Sequence, residues 1–422
     1  MALIRPFRGI RYNPAITGDL SQLASPPYDV ISREQQTELH LRSPYNAIHV
    51  DLSQDPDRYG SAAQRFREWQ QQHVLVPDTE PSLYFYAQEF TLKDGVKRRR
   101  LGVFAALKLE EFSSGVVRPH ERTFEGAKKD RLALLTACQA HLSSVFCVYG
   151  KRDWSLAQVA GHALSAPPLA SFTDEHDVTH TLWRTSNPAL IAAVAEGIAP
   201  ESLIIADGHH RYETALRYRQ ERAAQGRASD NEPYDYVLAF LTNAYDEGLV
   251  ILPTHRLLKN TTIPSPQNLQ AVLKRDFRIA RYALDKAGDF LAALRAPGPE
   301  RRIGCVVAGA SHYWLLSFDD RVTAGMPLSI PLRALDVTVL HEVILTRFFG
   351  LPAELQKQAL SYTIDEEEAL RGVAERRTQA AFLLNPTPFE QVVAVCEQGE
   401  TMSQKSTYFY PKLLTGLVFY QL

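Results

Sequence analysis

The chain has 422 residues, a net charge of −2, and 45% hydrophobic against 22% charged residues. That length gives room for two or three domains at roughly 100–200 residues each and for a sizeable core. The near-neutral balance excludes the bulk basic field that draws a protein to nucleic acid or to an anionic membrane. No stretch approaches the ~18 consecutive apolar residues of a membrane span. MALIRPFRGIRYNPA lacks both the apolar core and the cleavage pattern of a signal peptide, so a cytoplasmic protein without a membrane partner is expected. Cys138, Cys147, Cys305 and Cys396 form no CxxC pair and each lies in an apolar segment, the pattern of buried free thiols.

In chain order, SPPYDVIS opens an irregular start, and Ser32 followed by Gln35 reads as a capping box at the head of a short helix. Tyr59, Ala62, Phe66 and Trp69 keep helical spacing. SLYFYAQEF, Asp94-Gly95 and RLGVFAALKLEE predict a hairpin over 82–110. RPHERTF is a polar loop, followed by a helix whose apolar stripe holds Leu132, Leu135 and Cys138. SSVFCVYG predicts a buried strand, and Asn187-Pro188 predicts a helix over about 188–197. LIIA is a strand that runs into a helix near His210. YDYVLAFLTNA and GLVILPTH read as two more strands. Ser265-Pro266 and Thr387-Pro388 each predict a helix start, IGCVVAG, HYWLLSF and AAFLLN predict strands, and APGPE is a loop. This alternation predicts an α+β, or mixed α/β, protein.

The densest chemistry lies in SLIIADGHHRYETAL, where an apolar strand turns into a helix. A helix N-terminus exposes N–H groups and partial positive charge, and so receives phosphate. Gly208 lets a ligand approach the backbone, and Arg211 offers a planar fork for phosphate oxygens. His209 and His210 can donate hydrogen bonds or carry charge near neutral pH. Asp207 repels phosphate, and becomes sensible if Mg²⁺ sits between them or if it orients a histidine or a hydroxyl. Taken alone, DGH also fits a plain helix cap. HExxH, GxxxxGK[ST] and GxGxxG are absent, which lowers the weight of a zinc hydrolase, a P-loop enzyme or a Rossmann dehydrogenase.

Two further polar clusters stand out. RPHERTF places Glu121 beside His120 in a loop, a candidate general base that standing alone also reads as a solvated turn with Glu121 as helix-entry charge, and the helix after it carries Arg131. In MSQKSTYFYPKLLTG, Lys405, Ser406 and Thr407 can bind a carboxylate or a phosphate, although a lysine and two hydroxyls before an aromatic strand are commonplace. Asp29 in SPPYDV, and His255 and Arg256 in LPTHR, are weaker candidates that can equally stabilise turns.

RPHE, DGHHR and SQKST, in that order, resemble three motifs of the archaeal free-serine kinase within the ParB/sulfiredoxin-like superfamily. PPYDVIS, PHERT, DGHHR, LPTHR and KSTYFYPK resemble in order the bacterial family called domain of unknown function 1015. The kinase resemblance implies Glu121 as base toward a serine hydroxyl. It implies a catalytic part for Asp207 and His209, and nucleotide or phosphate binding by Gly208, His210, Arg211 and His120. It implies a substrate side at Lys405, Ser406, Thr407 and Arg131. It also implies ATP or ADP as donor, with Mg²⁺ held indirectly at Asp207. Sulfiredoxin carries a reactive cysteine where His209 stands, and ParB proteins add a helix-turn-helix of which no convincing copy is found here. Both activities are therefore disfavoured. The expected layout is an N-terminal α/β part over 1–110, a ParB-like catalytic core over 111–260, and a C-terminal α/β part over 261–422 that contributes to the site. The expected activity is a kinase for a small hydroxy compound, free L-serine first. The alternatives are phosphoserine phosphatase or reverse transfer, and a nucleotide-dependent switch. The oligomeric state is left open.

Overall fold

In the computed structural model the chain groups into two units. Met1–Pro119, Thr123–Val250 and Pro411–Leu422 form the first, and His120–Arg122 and Ile251–Tyr410 the second. The structure describes residues 1–226, 229 and 231–422.

The main sheet of the first unit is built from β1 (Ile4–Arg5), β2 (Leu83–Thr91), β3 (Lys97–Lys108), β4 (Val117–Pro119), β5 (Val145–Tyr149), β6 (Ala170–Thr173), β7 (Thr179–Thr185), β8 (Leu203–Asp207) and β9 (Tyr236–Asn243). They make one nine-stranded sheet in the order β4-β8-β5-β9-β3-β2-β7-β6, with β1 added against β3. The pairs β4–β8 and β5–β9 are parallel, whereas β8–β5, β9–β3 and β3–β2 are antiparallel. This mixed sheet is the α/β architecture expected from sequence. β9 is buried at every position, which explains why its first six residues, YVLAFL, are continuously apolar rather than alternating.

The helices beside it include α1 (Arg33–Arg42), α2 (Ile48–Asp51), α3 (Arg58–Gln71), α4 (Glu125–Cys138), α5 (Pro188–Ile198) and α6 (His209–Ala224). Ser32 Oγ accepts from the Gln35 N–H at 3.1 Å at the start of α1, and Asn187 Oδ1 accepts from Ala189 and Leu190 at the start of α5. Both caps follow from the sequence signals. Val194 and Ile198 of α5 and Tyr212, Ala215 and Leu216 of α6 share one core with Val103, Val145, Ile205 and Val237 of the sheet. That shared core fixes the first turn of α6 against the end of β8.

The second unit holds β10 (His255–Leu258), β11 (Arg278–Ala283), β12 (Arg301–Val307), β13 (His312–Phe318), β14 (Leu360–Thr363) and β15 (Ala380–Leu383). They form a six-stranded sheet in the order β11-β13-β12-β15-β10-β14, antiparallel throughout. Its helices include α7 (Pro266–Leu273), α8 (Ala287–Arg295), α9 (Glu366–Ala374) and α10 (Phe389–Glu397). Two local expectations change. GLVILPTH is not one strand: Val250–Leu252 is a short strand, and β10 begins after Pro253 and Thr254. Proline removes a ladder donor, so the break falls there. Thr387 does not cap α10. Pro388 holds the N-cap position, and the Thr387 hydroxyl donates to the Ser406 carbonyl at 3.2 Å.

All four cysteines are buried free thiols, and burial pushes the Cys138 and Cys147 thiols up to about 12, far from a nucleophile's range. Among the described residues no helix is long and apolar enough to cross a membrane.

Burial also sets a pH dependence. His141 stacks on Tyr420 with ring centroids 5.9 Å apart, and burial pulls its imidazole down to about 4. An unfolded histidine titrates near ~6.5, so between those values the unfolded chain binds the extra proton. This contribution to stability is complete above ~6.5 and is lost as pH falls toward 4. It is worth up to about 3 kcal/mol. Urea midpoints should fall over that window, and His141→Gln should flatten the slope. An unchanged slope in the variant would contradict the assignment.

Candidate functional site

The strand–helix junction of the first unit is built by two local devices. The register of β8 on β5 shifts between Ile205 and Asp207, a bulge that re-aims the last side chain of the strand. Gly208 then takes φ +90° as N-cap of α6, a left-handed conformation natural to glycine. A Cβ there would lie 2.9 Å from Arg211 Nε, so the arginine packs directly over the turn. Asp207 Oδ1 accepts from the Gly208 N–H at 2.8 Å and lies 3.7 Å from the Arg211 guanidinium. Its Oδ2 receives the ammonium of Lys412 at 3.2 Å. His209 is buried. His210 Nε2 accepts from the Phe124 N–H at 2.9 Å, and the two rings stack. His210 therefore carries its ring proton on Nδ1 when neutral. The two histidines do point into different surroundings.

Arg211 leads to a second group in the same unit. Its guanidinium donates to the Ser144 carbonyl, while its buried Nε has no hydrogen-bond partner. It lines a cavity of about 40 Å³ together with Asp51, Arg131, His141 and Thr214. Arg131 donates to Asp51 Oδ1 at 3.0 Å and to Asp130 Oδ2 at 2.6 Å. Tyr28 of SPPYDV lies under its guanidinium, 4.0 Å from carbon to ring centroid. Burial pushes the Asp51 carboxyl up, against the pull of Arg131. Most donors of Arg131 are thus taken by carboxylates, which suits a residue that holds the site better than one that grips substrate. Asp29 is exposed beside Tyr28.

In the second unit, Glu121 Oε2 accepts from the Lys405 N–H at 2.9 Å, and Met402 donates to the His120 carbonyl at 2.8 Å. His120 is buried, with Nε2 2.8 Å from the Thr407 hydroxyl. RPHE and QKST therefore meet in one loop pair. Lys405 itself sits at φ +56°, and its carbonyl accepts from Arg256 at 3.0 Å. Arg256 is fully buried, and burial pulls its guanidinium down to about 10 despite Tyr362 and Glu121 nearby. Ser406 turns its hydroxyl to the Ser403 carbonyl within the loop. His255 instead faces the sheet, accepting from the Leu384 N–H at 3.2 Å.

A family described as "Protein of unknown function (DUF1015)" matches residues 4–338. The chain belongs to this family. No curated protein matches it in sequence. Among solved structures, the DUF1015 chain is similar to a conserved hypothetical protein from Pyrococcus furiosus at 13% identity and TM-score 0.35, covering 74% of this chain and 92% of that one. It is similar to a free serine kinase in complex with AMP at 11% identity and TM-score 0.35, over 73% of this chain and 86% of that one. It is also similar to C-terminally truncated SbnI from Staphylococcus aureus at 9% identity and TM-score 0.35, over 75% and 86%. Likeness at this level assigns no activity to the DUF1015 chain.

Two residues went unread in the sequence. Asp51 closes α2 as a buried acid, and Lys412 ends KSTYFYPK behind three aromatic-strand residues and a proline. Lys412 also bears on magnesium. Hard divalent cations take several oxygen ligands, yet both oxygens of Asp207 are occupied, one by a backbone N–H and one by an ammonium. Among the described residues no group of three or more acidic, histidine or cysteine side chains could hold a metal. The residues around Asp207 do not fit a protein-held Mg²⁺.

Proposed function

We propose that this DUF1015 protein is a nucleotide-dependent phosphotransferase acting on a small hydroxy compound, with free L-serine as the leading acceptor and ATP or ADP as donor. The observation that carries this reading is the junction of the first unit. There a bulged strand, a glycine at φ +90° and the guanidinium of Arg211 over it leave a helix start of the kind that receives phosphate. In the proposal Gly208, His210 and Arg211 bind the donor's phosphates, with His209 packed behind them. The first unit serves as a ParB/sulfiredoxin-like nucleotide-binding core. In the second unit Glu121 is the base for the acceptor hydroxyl. His120 and Thr407 brace its loop through their hydrogen bond, and Lys405 and Ser406 complete the acceptor side. Such catalysis rests on positioning and electrostatics.

Calorimetry tests the carrying observation. ADP or ATP should bind the intact protein, and Gly208→Ala should weaken binding at least about tenfold. An added Cβ both strains the turn and displaces Arg211. A wild-type chain that binds neither nucleotide would end this reading.

A further inference from the structure

The acid at the phosphate-type junction has a partner in Lys412, the last residue of KSTYFYPK, to which the kinase resemblance gives no role. Lys412 lies two residues beyond the short strand Tyr408–Tyr410 and belongs to the first unit. Its ammonium stands 3.2 Å from Asp207 Oδ2, and both side chains are 14% exposed. The pair is sheltered enough to hold its geometry, yet open enough to meet a ligand.

The backbone around Lys412 is fastened from below by buried polar groups of the sheet. Gln88 of β2 donates its amide to the Lys412 carbonyl at 3.0 Å. Arg100 of β3 donates to the Pro411 carbonyl and to the Gln88 side-chain oxygen. Gln88 and Arg100 are both fully buried, and the Arg100 guanidinium lies 4.8 Å from the Phe146 ring centroid. Burying a guanidinium is unfavourable unless its surroundings compensate. Here that expensive group is spent on gripping the main chain on either side of one lysine. The second sign of a ligand is Arg211. It is 10% exposed, is packed on Gly208, and has a buried Nε without a partner.

We infer that Lys412 is the cation that meets the terminal phosphate of the bound nucleotide, and that Asp207 is a positioning residue that aims it. This rests on the phosphotransferase reading and deepens it. A lysine ammonium is a compact point charge suited to a phosphate oxygen. Asp207 holds the ammonium at the turn while Arg211 presents its fork from the first turn of α6. Lys412 thereby supplies, from the protein, the positive charge that an acid beside phosphate calls for, without a metal on Asp207. Gln88 and Arg100 are positioning residues one step further back.

The test is calorimetry of ADP and of adenosine in EDTA, on wild type, Lys412→Met, Lys412→Arg and Asp207→Asn, each checked for an unchanged melting temperature. Wild type should bind ADP without divalent metal. Lys412→Met should bind ADP about 10- to 100-fold more weakly, the worth of one charge-assisted phosphate contact, with adenosine unaffected. Lys412→Arg should recover part of the loss. Asp207→Asn should weaken ADP less than Lys412→Met, because the ammonium remains. ADP binding that is normal in Lys412→Met would overturn the inference and leave the phosphotransferase reading standing. So would an equal loss of ADP and adenosine, the mark of a merely structural lysine. Failure of wild type to bind ADP in buffer with or without Mg²⁺ would overturn both.

Discussion

Glu121→Gln should cut phosphoryl transfer by about 10²- to 10⁴-fold, the usual worth of a general base, while leaving the melting temperature and nucleotide binding where they are. The substitution is chosen for what it keeps. Glu121 Oε2 accepts from the Lys405 N–H at 2.9 Å, and a glutamine oxygen can accept the same bond. The remaining fastenings of the loop are untouched, namely Met402 to the His120 carbonyl and His120 to Thr407, both at 2.8 Å. What is removed is the ability to take a proton, together with the negative charge near the buried Arg256 guanidinium. The loss should therefore fall on kcat and not on the nucleotide's Kd. A variant that is folded and fully active would show that Glu121 is a loop brace and not the base.

The second large effect is on stability. Asp51→Ala should destabilise the protein by about 3–5 kcal/mol, the cost of breaking a buried ion pair on one side. Asp51 and Arg131 are 2% and 5% exposed and 3.0 Å apart, and after the substitution Asp130 would be the carboxylate left paired with the guanidinium. Removing both charges with Asp51→Ala and Arg131→Met should recover most of the loss, because no uncompensated ion then stays buried. Urea unfolding of the two singles and the double measures this. A single variant that loses less than about 1 kcal/mol would place the pair among the weak surface bridges. Arg131 shares its cavity with Arg211, so Asp51→Ala should also weaken ADP binding.

Local elements were legible where the chain carries local chemistry. Ser32 with Gln35, Asn187-Pro188 and Ser265-Pro266 announce helices that begin with the expected side-chain caps, and Asp94-Gly95 sits between β2 and β3. Strand β7 was not read. THTLWRT carries polar residues such as His180 that the fold buries, Nε2 bonded to Asp174 at 3.0 Å and Nδ1 to Tyr86. The helix over Val339–Phe348 has wide turns that no 3.6-residue period reveals. At the site, DGHHR declared itself because strand, glycine and helix are adjacent in sequence. Lys412 did not, because its partner Asp207 lies 205 residues away. Asp51 did not, because a lone acid after IHV looks like a helix end until Arg131 is folded over it. RPHE and QKST were each commonplace alone, and their pairing is visible only through the Glu121–Lys405 and His120–Thr407 bonds.

The measurement that bears most directly on the central claim is a phosphorus NMR assay of purified protein with Mg²⁺ in the buffer, ATP or ADP, and a panel of hydroxy amino acids and hydroxy acids. The account predicts a new phosphomonoester resonance that requires both nucleotide and one acceptor, serine first, and that is lost in Glu121→Gln. An unchanged nucleotide spectrum with every acceptor, under conditions where the protein is folded and binds nucleotide, would contradict it.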